Sequence, residues 1–200
     1  VLKRCFDLTL ACGALLVLAP VMLLAALWIK MDSRGPVLFR QDRVGLNGRL
    51  FAILKFRTMV ADSEPARPSG ITVGADPRIT RAGSLLRKYK LDELPQFINV
   101  LRGDMSVVGP RPEVPQYVAT YPPETRDQVL SVRPGITDLA SIAYRNESEL
   151  LGSAENPEAF YVQEILPKKL DFCLQYVATR SLWLDMTIIW RTVLVILSRR

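Results

Sequence analysis

The 200-residue sequence contains no histidine. That excludes Ser-His-Asp and Cys-His catalysis, HExxH zinc sites and any imidazole general base. Cysteine is scarce. Cys5, Cys12 and Cys173 form no CxxC pair and read as reduced fillers rather than metal ligands or a disulfide. There is no Walker A motif, internal repeat or heptad run, and Gly45 and Gly48 alone make no nucleotide fingerprint. Any chemistry must therefore use carboxylates, lysine, arginine, hydroxyls or thiols. A hydrophobic share of 49% beside 23% charged residues excludes a disordered or low-complexity chain. A mean hydropathy of +0.15 is high for that much charge. The apolar residues must be concentrated somewhere.

They are concentrated in residues 8–29, which contain no charge. About 20 apolar residues suffice to cross a bilayer core as a helix. A buried core helix is a poor alternative, because the rest of a chain this size could not cover so apolar a segment on every face. A signal peptide fits the Lys3-Arg4 start, but no A-x-A site follows the apolar run. Pro20 sits mid-segment, where it removes a backbone hydrogen bond and clashes with the preceding turn. Basic residues flank both sides: Lys3 and Arg4 before, Lys30, Arg34, Arg40 and Arg43 after. Such flanks favour the cytoplasm. A helix broken at Pro20 that enters and leaves on one face satisfies both flanks, and an ordinary spanning helix with a tolerated kink also fits. This segment, 1–30, is read as one unit and 31–200 as a second.

Lys and Arg outnumber Asp and Glu by 26 to 20, and all but Lys3, Arg4 and Asp7 lie beyond the apolar segment. The excess suits an anionic membrane surface or phosphate-bearing substrates. No nucleic-acid partner is expected, because the cations are not interleaved with aromatics in a stacking pattern.

Residues 37–57 read as a β-hairpin turning at Gly45–Gly48. Its edges carry Arg40, Arg43, Arg49, Lys55 and Arg57, either as a solvated face or as an anion site. Residues 60–78 form a polar loop with Pro65, Pro68 and Pro77, a plausible lid. A basic amphipathic helix is expected over 79–90. A second begins near Leu94, with Pro95 in its first turn, and stops at Gly103. The stretch 104–115 reads as a rigid loop, 124–131 as a short helix, 132–137 as another stiff loop holding Arg133, and 157–178 as helical. The tail 181–197 carries Trp183 and Trp190 and leads to Arg199 and Arg200, which suits a helix in a membrane interface or a core helix.

The most suggestive pair is Asp92-Glu93, just ahead of Pro95. Carboxylates near a helix start are often simple caps. The chemical reading also has a physical basis. Without histidine, a carboxylate is the natural covalent nucleophile for phosphoryl chemistry. A helix N-terminus would stabilise it, and a neighbouring glutamate could help hold Mg²⁺ on a diphosphate. Arg87, Arg111 and Arg133 could clamp phosphate oxygens.

Three stretches, KFRTM (55–59), LRKYKLDELPQFINVLRGDMSVVGPRP (86–112) and VRPGIT (132–137), resemble the bacterial sugar transferase family. These are monotopic phosphoglycosyl transferases that start glycan assembly on a polyprenyl phosphate. The resemblance runs from near the first residue to at least residue 145. It implies an α+β architecture: a re-entrant membrane helix, then a small, mostly helical catalytic domain with a short β-hairpin and interfacial amphipathic helices. It implies transfer of a phospho-sugar from a UDP-sugar to undecaprenyl phosphate, with release of UMP and use of Mg²⁺, at the cytoplasmic face of the bacterial inner membrane.

By the same resemblance Asp92 is the nucleophile of a ping-pong cycle through an aspartyl-phosphosugar. Glu93 assists through the metal, for which Asp92 and Glu93 are the ligands, or by positioning. Arg111 binds the nucleotide, and Lys55, Arg57, Arg87 and Arg133 belong to the substrate-binding set. Arg4 lies at lipid headgroups and Pro20 breaks the anchor. Two positions depart from the family pattern: Ala19 stands where a serine usually precedes the proline, and Asp138 stands where glycine usually follows RPGIT. A membrane-associated scaffold with the same anchor and basic face is the non-catalytic alternative. The chain begins with Val1, and long family members carry further membrane helices ahead of such a core.

Overall fold

A computed structural model describes residues 1–60 and 76–198. The lid expected in the 60–78 loop therefore falls mainly outside the described residues, as do Arg199 and Arg200. Helix α1 (Leu2–Asp32) runs through Pro20 as one element, so the interruption expected there is not seen. Its 31 residues span about 46 Å. Asp7 and Ala11 toward one end, and Ala25 and Ile29 toward the other, are buried on one face, while no residue from 12 to 24 is buried. Leu16, Val17, Leu23, Leu24 and Leu27 are exposed on other faces.

Strands β1 (Leu38–Val44) and β2 (Leu50–Phe56) form the expected antiparallel hairpin, with Gln41 opposite Ile53. Its turn closes through Gly45 N–H to Arg49 O at 2.8 Å and needs positive φ at Asn47 and Gly48. Helix α2 (Arg81–Lys88) starts at Thr80, whose Oγ1 accepts from Gly83 N. A 3₁₀ turn over Leu91–Glu93 follows, then α3 (Gln96–Arg102), which Gly103 ends at φ 94°. Asn99 ties α3 to the hairpin: its Oδ1 accepts from Leu54 N and its Nδ2 donates to Ala52 O.

The rigid loop expected over 104–115 contains a strand, β3 (Ser106–Val108). It pairs in parallel with β4 (Gly135–Thr137), inside what reads as the second stiff loop. Each strand is only three residues, too short for a period-2 pattern to show. Short helices α4 (Pro115–Val118), α5 (Pro123–Val129), α6 (Leu139–Ala143), α7 (Glu147–Gly152) and α8 (Pro157–Phe160) follow. A π-helical turn over Tyr161–Ile165 joins α8 to α9 (Leu166–Thr179), where Pro167 at the start of α9 cannot supply an N–H. Helix α10 (Leu182–Leu197) completes the described chain.

Three apolar clusters hold this together. Ala25 and Ile29 of α1 pack with Phe56, Ala82 and Leu86. Ala11 packs with Ile53, Val100, Met105, Val108, Tyr176 and Ile188. A third cluster gathers Val44, Tyr117, Tyr121, Tyr161, Ile165, Leu170 and Cys173. Cys173 is thus a core filler, whereas Cys5 and Cys12 are exposed on α1. The tail is neither wholly core nor wholly exposed. Asp185 and Ile188 of α10 are buried, while Trp183, Met186, Trp190, Leu194 and Leu197 are exposed.

Candidate active site

Lys90 adopts a left-handed conformation, φ 57°, which turns the chain between α2 and the 3₁₀ turn. Asp92 and Glu93 follow, each only 8% exposed. Lys55 reaches them from β2, donating from Nζ to Glu93 Oε1 at 2.8 Å. Arg111 reaches them from the GPRP loop: Nη2 donates to the same Oε1 at 2.5 Å and Nη1 to Oε2 at 3.4 Å. Glu93 Oε1 therefore accepts from two cations, and Oε2 has one longer contact. Asp92 Oδ1 is buried and accepts no hydrogen bond among the described residues.

The electrostatics follow the contacts. Burial, and then the Glu93 charge, raise the Asp92 carboxyl above its ordinary value, and Lys55, Lys90 and Arg87 pull it partly back. Burial alone would raise Glu93 too, but Arg111 and Lys55 outweigh it and hold Glu93 well below the usual carboxylate range. Burial lowers Lys55, with Glu93 opposing. Two adjacent carboxyls are thus driven apart, a pattern typical of sites where one group must react and the other must stay charged.

The loop that delivers Arg111 is fixed by its neighbours. Arg111 N donates to Asp138 Oδ2 at 3.2 Å, and Asp138 Oδ1 caps α6 by accepting from Ser141 N. Asp138 is buried, so the departure from the family's glycine is no surface change; it holds the arginine loop. Gly109 and Gly135 let the two loops touch backbone to backbone. A Cβ on Gly135 would lie 2.1 Å from Gly109 N, and one on Gly109 would lie 2.4 Å from Arg133 O.

A profile described as bacterial sugar transferase matches residues 1–199. The chain belongs to the bacterial sugar transferase family. It is 42% identical over 196 residues to an undecaprenyl-phosphate glucose phosphotransferase of Komagataeibacter xylinus, covering 96% of this chain and 35% of that protein. It is 40% identical over 195 residues to the UDP-glucose:undecaprenyl-phosphate glucose-1-phosphate transferase of Escherichia coli K12, covering 96% of this chain and 39% of the other. It is also 40% identical to the exopolysaccharide production protein PSS of Rhizobium leguminosarum bv. phaseoli, over all of this chain and 96% of that one. The chain spans little more than a third of the first two relatives.

Among the residues that resemblance to the sugar transferases singles out, Lys55, Asp92, Glu93 and Arg111 come together. Arg87 stands at their edge, donating Nε to Thr58 Oγ1 at 2.8 Å within the electrostatic reach of Asp92. Arg57 and Arg133 are placed elsewhere. Arg57 is buried, and its Nε, Nη1 and Nη2 donate to the carbonyls of Pro36, Arg34 and Ser33, clamping the link from α1 to β1. Arg133 Nε donates to Gly103 O, at the end of α3 away from the dyad, where Arg4 also donates to Leu101 O. Sequence reading of the family motifs missed the roles of Thr58, Asp138 and the Gly109–Gly135 contact. The two glycines in GPRP and RPGIT were the available signal.

Proposed function

We propose that this sugar transferase moves a sugar-1-phosphate from a UDP-sugar to undecaprenyl phosphate, releasing UMP, through a covalent aspartyl-phosphosugar on Asp92. The observation that carries the reading is the split dyad. Glu93 is spent on Lys55 and Arg111, which leaves Asp92 as the carboxylate with an uncommitted oxygen. The names of the relatives, which act on undecaprenyl phosphate, supply the substrate class.

In the first half-reaction an Asp92 carboxylate oxygen attacks the phosphorus that bears the sugar. The new O–P bond forms as the bond to the UMP oxygen breaks, and UMP leaves with that electron pair. Arg111 and Lys55 present fixed positive charge to the diphosphate, and Arg87 adds a third cation near Asp92. In the second half an oxygen of the acceptor phosphate attacks the same phosphorus and frees the Asp92 carboxylate.

Magnesium fits the two expected ligands unequally. Asp92 offers an unpartnered hard oxygen, to which donor phosphate oxygens would add. Glu93 Oε1 already accepts from two cations, so Glu93 would meet the ion through Oε2, which has one contact at 3.4 Å. When bound, the ion supplies neutralisation of the diphosphate charge.

The membrane reading rests on where α1 is tied. Near one end Asp7 accepts from Ser106 Oγ and Val107 N; at the other Asp32 accepts from Ala82 N. Both ends are held by one body, whereas a spanning helix would place about 30 Å of hydrocarbon between them. This argues against a spanning helix and supports a seat on the cytoplasmic face of the inner membrane, with re-entry requiring in addition a bend at Pro20. The exposed Trp183, Trp190 and Leu197 of α10 would rest in the interface. The acceptor phosphate, held at headgroup level by its lipid tail, is then within reach of the site.

The test is a panel of UDP-sugars assayed for UMP release with undecaprenyl phosphate, followed by mass spectrometry of the protein incubated with donor alone. A phosphosugar adduct on Asp92, absent in Asp92→Asn, is the expected result. UMP release by Asp92→Asn at the wild-type rate would overturn the covalent route.

A further inference from the structure

Behind the GPRP loop lies a second buried ionic cluster that the proposed reaction does not use. Glu113 Oε1 accepts from Tyr161 OH at 2.6 Å and from Lys169 Nζ at 3.3 Å, and its Oε2 faces Arg43 Nη1 at 3.6 Å. Lys169 Nζ also pairs with Glu147 Oε2 at 3.1 Å and stands 4.9 Å from the centre of the Tyr161 ring. The side chains of Lys169 and Glu113 are 8% and 10% exposed. Charges so deeply buried persist only when paired.

Glu113 lies two residues after Arg111 on the same loop, across Pro112. The backbone of that loop is pinned throughout. Gly109 N donates to Thr137 O, Gly135 N to Pro110 O, Arg111 N to Asp138, Arg43 Nη1 to Pro112 O, and Val44 N to Glu113 O. With the backbone fixed, the Arg111 side chain has three carboxylates in its surroundings, Glu93, Asp138 and Glu113, and Asp138 is committed to Arg111 N and Ser141 N. The Arg111 side chain is paired with Glu93. The difference is in what else each acid holds. Glu113 is already met by Lys169, Tyr161 and Arg43; Glu93 has Lys55 beside the arginine.

We propose that Lys169 is a positioning residue: by neutralising Glu113 it keeps Arg111 turned toward Glu93 and the donor diphosphate. This rests on the transferase reading above. Without Lys169, Glu113 keeps a buried charge met only by Arg43 and the Tyr161 hydroxyl, and Arg111, two residues away on the same loop and within its electrostatic reach, is the further cation that can answer it. Removing Glu113 as well takes the competitor away.

The experiment compares the full chain in detergent with Lys169→Met, Glu113→Gln and the double variant, reading donor KM, kcat and a thermal scan. Lys169→Met should raise donor KM about tenfold, the loss of one charge-assisted contact to the diphosphate. The double variant should return donor KM to within about threefold of wild type, as should Glu113→Gln alone. A Lys169 that only supports the fold predicts that Lys169→Met lowers Tm while donor KM, read below that Tm, stays at the wild-type value, and that result overturns the proposal. So does a double variant whose donor KM stays as high as that of Lys169→Met. If Lys169→Met fails to fold, Lys169→Arg is read instead: a wild-type donor KM with the charge kept supports the proposal, and a tenfold rise with Tm unchanged overturns it. In each of these cases wild-type UMP release leaves the transferase reading standing. A wild-type chain that releases no UMP from any UDP-sugar sinks both.

Discussion

Asp92 and Glu93 are adjacent in sequence and opposite in surroundings. Glu93 Oε1 receives Lys55 and Arg111, while Asp92 Oδ1 is buried and accepts nothing among the described residues. The 3₁₀ turn produces the difference. With three residues per turn it sends successive side chains about 120° apart, so neighbours face different walls of the site.

Asp92→Asn should abolish turnover and stabilise the fold. At neutral pH the ionised Asp92 is a buried charge without a hydrogen bond at Oδ1, and the amide removes that charge. The sign follows from the raised value: ionisation of Asp92 destabilises the folded state as pH rises above the ordinary 3.8. Relief of about 1 kcal/mol corresponds to a rise of about 2–4 °C in Tm for a chain of this size. A thermal scan beside a UMP-release assay checks both. The acid limb of wild-type kcat should also lie above the range of an ordinary aspartate, because only the ionised form attacks.

Glu93→Gln should do the reverse to stability. The folded Glu93 sits well below 4.5, so it stabilises above 4.5 and that gain is lost as pH falls through the lower folded value. Removing its charge leaves Lys55 and Arg111 facing each other unpaired, at a cost of about 3–5 kcal/mol. The Tm gap between wild type and variant should be widest at neutral pH and narrow in acid. A gap that stays constant down to the lowest pH measured would contradict this assignment.

Gly135→Ala and Gly109→Ala should each cost activity well beyond any loss of secondary structure. The added methyl meets backbone at 2.1 and 2.4 Å, which no rotamer can relieve. Forcing the loops apart moves Arg111, and misplacement by about 1 Å can cost about 100-fold. Near-wild-type kcat/KM in either variant would show that the loop contact does not set the site.

Cysteine placed at position 2 and at position 33, with Cys5 and Cys12 replaced by serine, should react with an impermeant maleimide only from the cytoplasmic side. Labelling of position 2 from the periplasm would mean that α1 spans.

Much of this was legible before any coordinates. The hairpin showed itself because alternating apolar residues flank a glycine-bounded turn, and it was displaced by only one residue at each end. Helix α3 was marked by Pro95 and Gly103. Strands β3 and β4 were not, since each makes sense only beside the other, and a single sequence carries no signal of that pairing. The dyad was readable from residue type. The fate of the arginines was not. Arg57 and Arg111 sit in equally suggestive motifs, yet one is consumed by three backbone carbonyls and the other reaches Glu93. Only tertiary geometry separates a guanidinium spent on backbone carbonyls from one that reaches the dyad. The uninterrupted helix through Pro20 has a similar cause: proline lacks an N–H, but the surrounding turns of a long helix keep their own bonds.

Lys3 Nζ contacts Asp185 Oδ2 at 2.8 Å, and Asp185 in turn accepts from Tyr176 OH. This contact joins the first turn of α1 to the first turn of α10, almost the whole chain apart. It has a consequence for biogenesis. Helix α1 is made well before α10, so its Asp7 can be tied to Ser106 and Val107 of β3 first, whereas the Lys3–Asp185 contact must wait for α10. The fastening of α1 is therefore staged in time, first to β3 and then to α10, and a chain cut short before α10 would keep the first tie and lack the second.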